Sequence, residues 1–186
     1  TFPLPDGVEG SCVAGEHALP VLAYRLDLHR RRRFQADRAR TLAVPTNLWR
    51  KLQDGQPVTL DGRVIGPDDV MGPPRPGISV AYVTDPPPPA AITRLISGVT
   101  LLVCEGPYGD NAHAENAVRN QHMTFREAAT MARDADVQQL WITHFSPGGD
   151  DPQAFTGNAR EVFPAAVIGY DGMTASLAFP NQNSLP

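Results

Sequence analysis

Apolar and polar positions follow two different grammars along this chain, and the change between them divides it. Between residues 11 and 28, "SCVAGEHALPVLAYRLDL" holds strand-length apolar runs broken by Gly15 and Pro20, which predicts a hairpin, or a strand, corner and strand, with His17 at the corner. Residues 29–77 are different: basic at first, then short pieces punctuated by turn residues, with no core periodicity. Inside them the pattern predicts a short helix over 35–42, ended by Pro45, and a small hairpin arm in which Asp54-Gly55 and Asp61-Gly62 bracket "QPVTL". From 78 onward the pattern is regular. It predicts a strand at 78–84, a proline turn, a helix near 90–97, a strand at 99–105, a helix at 124–135 and the strand "LWITHF". Two further short strands are predicted around Asp171-Gly172. Strand alternating with helix argues for an α/β layered architecture.

The helix predicted at 124–135 carries its own start chemistry. Thr124 followed three residues later by Glu127 is a capping box, and Phe125, Ala128, Ala129 and Ala132 form its apolar face. His122 therefore falls just ahead of a helix N-terminus, in a loop-like position.

Composition narrows the picture in three ways. A chain of 186 residues can bury a core and suits one domain, or one domain with an appendage. Its formal net charge of -4 means that any contact with a polyanion must be local. Cys12 and Cys104 form no CxxC pair, which predicts an intracellular chain in which both act as small apolar residues. No apolar run approaches the roughly 18 residues of a bilayer span, so a soluble cytoplasmic protein is expected, with no membrane contact.

Four apolar runs or corners each deliver one polar residue: His17 at its corner, Asp85 after "AYVT", Glu105 after "LLVC" and His144 after "LWIT". Such endings suit a metal or acid/base site at the edge of a sheet, where strands fix the ligands and loops leave an open face. Each one alone is more often a hydrogen-bonded structural residue than a ligand. Histidine and carboxylate without cysteine suit zinc or manganese in a hydrolytic site, where the metal lowers the pKa of bound water to about 7. Cys104 alternates with Val103 and Glu105 along its strand and is expected in the core.

"AYVTD" at 81–85, "LLVCEGPYGD" at 101–110, "HMTFREAA" at 122–129 and "LWITHFSP" at 140–147 resemble, in order and spacing, the C-terminal half of ribonuclease Z, the tRNA 3′-processing endonuclease of the metallo-β-lactamase superfamily. "EHALPVLAYRL" at 16–26 is similar to the family's histidine and following Gly-Tyr-Arg strand, and "GQPVTLDGRVIGPDDVMGPPRPG" to the stem of its tRNA-binding arm. The resemblance implies a metallo-β-lactamase-like αββα sandwich, of which 1–28 and 78–186 form the C-terminal half and 29–77 an inserted, protruding arm. It implies that His17 and His144 each bind one of two metal ions, most simply zinc with manganese or magnesium as substitutes, and that Asp85 bridges them. It makes His122 the histidine acting at the scissile phosphate and Glu105 its orienting partner. Arg30, Arg31, Arg32 and Arg33, at the start of the arm, would grip the phosphates of precursor tRNA.

The superfamily's His-x-His-x-Asp-His loop does not occur in this sequence. An N-terminal half is therefore expected beyond these residues, the chain by itself is expected to be inactive, and the family resemblance adds a homodimer. Two alternatives stay open: a hydrolase of the same fold acting on another ester or phosphodiester, and a non-catalytic half-domain that binds tRNA or a partner. Taken alone, half a sandwich would leave one sheet face uncovered.

Overall fold

The structure, a computed structural model, describes residues 1–15, 20–84, 90–145 and 150–180. Its contacts divide the chain into two compact units, Thr1–His29 with Gly77–Pro186, and Arg30–Pro76.

The first unit is built on a seven-stranded sheet. β1 (Phe2–Pro3), β2 (Val8–Ala14) and β3 (Leu22–Arg30) precede the inserted unit, and β6 (Arg75–Val83), β7 (Leu101–Glu105), β8 (Leu140–Thr143) and β9 (Ala166–Ile168) follow it, in the order β1-β2-β3-β6-β7-β8-β9. β2 and β3 form the predicted hairpin, registered from Val8↔Leu28 to Ala14↔Leu22. The residues of its corner, 16–19 with His17, lie outside the described residues. β6 to β9 run parallel, so each connection must cross over, and a helix sits in each crossover. These are α4 (Ala90–Ile96), the pair α5 (Ala114–Arg119) and α6 (Phe125–Asp134), and α7 (Thr156–Arg160).

The sheet buries one face under these helices. Ala81, Val83, Leu102, Cys104, Leu140, Ile142, Ala166 and Ile168 pack with Ile92 and Ile96 of α4, Ala159 of α7 and the predicted apolar stripe of α6. The capping box forms as read: Thr124 Oγ1 accepts from Glu127 N, and Glu127 Oε2 accepts from Thr124 N at 2.8 Å. Because side chains alternate, the strand positions between these core residues share the opposite face. There Leu22, Tyr24, Leu26 and Tyr82 are 39–49% exposed. Val103, Trp141 and Val167 continue the row across the parallel strands. An apolar face of this extent is unusual on a soluble surface.

The second unit holds α1 (Ala36–Thr41), α2 (Trp49–Gln53), the hairpin β4 (Val58–Leu60) and β5 (Arg63–Ile65), and α3 (Pro67–Val70). The hairpin closes through Asp61 and Gly62, both at positive φ (48° and 79°), the conformation a two-residue turn requires. This segment does have a core: Ala39, Val44, Leu52, Val58, Ile65 and Val70 pack together. Each short element contributes only one or two of them, which is why no periodicity appears in the sequence.

Two further expectations are corrected. Of the two C-terminal strands only β9 forms, and 171–180 contain no strand, because β9 pairs in parallel with β8 rather than with the segment after its own turn. Cys104 is buried as expected, but Cys12 is exposed, since its pairing with Tyr24 puts it on the uncovered sheet face. No helix of the described residues is long and apolar enough to cross a membrane.

Burial pushes the Cys104 thiol upward, reinforced by the neighbouring Glu105 charge, so it stays protonated and shielded. A colorimetric disulfide reagent should therefore titrate one thiol per folded chain, Cys12, and reach the second only after denaturant is added. Two thiols reacting together in the native protein would contradict this packing.

Candidate active site

Glu105 ends β7 and is fully buried. Gly106, which follows, passes so close to β8 and α6 that a Cβ would stand 2.6 Å from Ile142 Cγ2 and 3.2 Å from Phe125. Only glycine allows the chain to leave the sheet there. His122 is set from two directions. Gln121 takes a left-handed φ of 58°, His122 N donates to Ala117 O at 2.8 Å and Gln121 N to Val118 O, which together close α5 in a Schellman arrangement. Two residues later Thr124 opens α6, so His122 is held between a helix end and a helix start. The sequence pattern missed α5 because the helix is short and buries only Ala117, and because Gln121 stands where glycine usually marks such an end.

The ring of His122 is fixed by Glu105: Nδ1 lies 2.9 Å from Glu105 Oε2. An ionised carboxylate can only accept, so against ionised Glu105 the imidazole donates through Nδ1. His144 follows β8 with φ +62°, a left-handed conformation that turns the chain out of the strand. Its ring centroid lies 5.6 Å from that of His122. One ligand atom each from Glu105, His122 and His144 fall within 4.8 Å of one another. Two imidazoles and a carboxylate are donors of the kind that take zinc. Nδ1 of His122 is already engaged by Glu105, so within this group that nitrogen is the one least available to a metal.

Tyr108, which the pattern of the sequence did not single out, belongs to the same neighbourhood. Its ring centroid is 6.5 Å from that of His122, and its hydroxyl accepts from Asn120 Nδ2 at 2.6 Å. Asp85, like His17, lies outside the described residues.

The four arginines begin the second unit and differ from one another. Arg32 is a brace: Nε donates to Gly72 O at 2.6 Å, Nη1 to Asp68 Oδ1 at 2.5 Å and Nη2 to Met71 O. Arg31 contributes its backbone carbonyl to Arg75 Nη1. The Arg75 guanidinium is held below its ordinary value by desolvation and by the charges of Arg30 and Arg33, a local concentration of positive charge in an acidic chain.

No family model matches the chain. It is 40% identical over 164 residues to the ribonuclease Z of Clostridium botulinum, an overlap of 88% of this chain and 52% of that one. The chain is a homologue of ribonuclease Z. To the ribonuclease Z of Lachnospira eligens it is 38% identical, over 95% of this chain and 58% of the relative, and to that of Clostridioides difficile 40%, over 92% and 56%. It thus spans about half the length of the curated relatives it matches. The fold is that of the metallo-β-lactamases: YhfI of Bacillus subtilis, a metallo-β-lactamase-fold protein, aligns with a TM-score of 0.56 at 17% identity, over 92% of this chain and 50% of that one. The short form of human tRNase Z aligns with a TM-score of 0.55 at 15% identity, over 96% and 46%.

Two measurements check this geometry. His144→Gly should be more stable than His144→Ala by about 1 kcal/mol in denaturant titration, because glycine adopts the left-handed backbone without the Cβ penalty. Equal stabilities would mean that the turn is not left-handed. Imidazole ¹⁵N shifts should show neutral His122 protonated at Nδ1, and Glu105→Ala should return it to the Nε2-protonated form usual in water.

Proposed function

We propose that this chain is part of a ribonuclease Z-type endoribonuclease, and that the complete protein hydrolyses the phosphodiester at the 3′ end of precursor tRNA. The observation that carries the reading is the pairing of His122 with the buried Glu105 beside the imidazole of His144, in a chain homologous to ribonuclease Z over nearly its whole length.

In this reading His17, Asp85 and His144 hold metal, two zinc ions in the complete enzyme, with manganese or magnesium able to substitute. Bound there, the metal supplies Lewis acidity at the phosphoryl group. His122, its Nδ1 proton held by Glu105, delivers a proton from Nε2 to the leaving oxygen, and Glu105 steadies the charged imidazolium before the transfer. Arg30, Arg31 and Arg33 contact tRNA phosphates, while Arg32 keeps the arm rigid behind them. The remaining ligands come from an N-terminal half whose sheet would cover the row from Leu22 to Val167. The chain alone is then inactive, and the complete protein is a cytoplasmic homodimer.

In the complete protein, His144→Ala or Asp85→Ala should abolish precursor tRNA cleavage and lower bound zinc in elemental analysis. Full metal content with full activity in either variant would refute the ligand roles. Replacing residues 30–76 by a short linker should reduce precursor tRNA cleavage by about 100-fold or more while sparing hydrolysis of bis(p-nitrophenyl) phosphate, since the phosphate contacts of the arm are lost and the centre is kept. Equal survival of both activities would point to a hydrolase of a smaller ester.

A further inference from the structure

A cavity of about 180 Å³ opens next to the histidine pair, and neither histidine lines it. Its walls are aromatic, from Tyr108, Phe125, Phe145 and Phe155. Gly109 makes room for one of them, because a Cβ there would stand 2.6 Å from the Phe155 ring. Two walls are continuous with the site already described: Phe145 follows His144 in the chain, and the Tyr108 ring neighbours that of His122. The remaining lining holds two prolines, Pro107 and Pro152, and three polar side chains, the carboxylates of Asp110 and Asp150 and the imidazole of His113 beside Tyr108. Asp110 uses Oδ1 to accept from Ala112 N, which leaves its second oxygen for a ligand.

These features select for one kind of guest. The volume slightly exceeds the roughly 150 Å³ that accommodates a benzene ring, so the six-membered ring of a heterocycle fits. Two carboxylates repel a phosphate and accept from N–H donors on a ring edge. A flat, neutral heterocycle with an amino group meets both conditions, and aromatic walls are how proteins commonly hold an unstacked base.

We propose that this cavity receives the nucleobase of a nucleotide adjoining the scissile phosphate. The base stacks on the aromatic walls and donates its exocyclic amine to Asp110 or Asp150, which favours adenine, guanine and cytosine over uracil. The assignment rests on the phosphodiesterase reading above and adds to it a base subsite with a stated preference.

The test is a ligand-observed NMR titration of the complete protein with adenosine 5′-monophosphate, uridine 5′-monophosphate and ribose 5-phosphate. The adenine nucleotide should bind at least about tenfold more tightly than ribose 5-phosphate, the size of effect one stacked base brings. The uridine nucleotide should fall between them. Phe155→Leu, which keeps apolar bulk and removes the ring face, should erase the adenine advantage. Asp150→Asn, at an exposed position, should close the gap between adenine and uracil. Adenine binding no tighter than ribose 5-phosphate, absence of binding included, overturns the proposal, and so does an adenine advantage that survives Phe155→Leu. Neither failure touches the tRNA reading, which the His144→Ala and Asp85→Ala assays decide separately. Base-dependent binding beside a complete protein that leaves precursor tRNA intact would keep the cavity and remove the substrate.

Discussion

A carboxylate with no exposure to water sets the conditions for the rest of this site. Removing an ionised group from water costs several kcal/mol unless a partner compensates, and Glu105 meets that demand through the Nδ1 proton of His122. The hydrogen bond needs His122 at one place and in one orientation. The end of α5 and the start of α6 supply the place, and the glycine after Glu105 lets α6 approach the sheet closely enough for the bond to form. Packing, helix termini and proton chemistry are thus a single constraint seen at three scales.

The two faces of the sheet express different histories of burial. Under the helices most strand positions are filled by small or medium apolar side chains, and Ala23, Ala81 and Ala166 are among them, while Arg25 on the same face caps α4 through Leu95 O and Ser97 O. The other face carries Leu22, Tyr24, Leu26 and Tyr82 half in water. These are large, mainly apolar residues left half exposed on one face of the sheet. That asymmetry accords with a chain spanning about half the length of its ribonuclease Z relatives.

What could be read from the sequence was whatever is decided locally. The capping box of Thr124 and Glu127, the Asp61-Gly62 turn, the strand ending in Glu105 and the strand that stops just before His144 depend on short-range chemistry, and they appear close to where the pattern puts them. What depends on tertiary context was hidden. α5 and α7 bury one alanine each and leave no stripe to detect. The core of the arm is assembled from single residues of many elements, and Arg32 looks like its three neighbours until Gly72 and Asp68 are seen to bind it. Cys12 was misassigned because alternation tells that two faces exist without telling which one is covered. The convergence of His122 with Glu105 and His144 is implied by the resemblance to ribonuclease Z, while the left-handed backbone at His144 leaves no mark in the pattern.

Glu105 and His144 leave from the carboxyl ends of adjacent parallel strands, whereas the residues that hold the sheet together lie along its helix-covered face. Substitutions in the loops beyond those ends can accumulate without loosening the core, whereas changes at Ile142 or Phe125 would reach the Glu105–His122 pair through Gly106. Such a division suits a fold that keeps one scaffold while its loops change: the strands hold Glu105 and His144 in place, and the loops beyond them remain free to be rewritten.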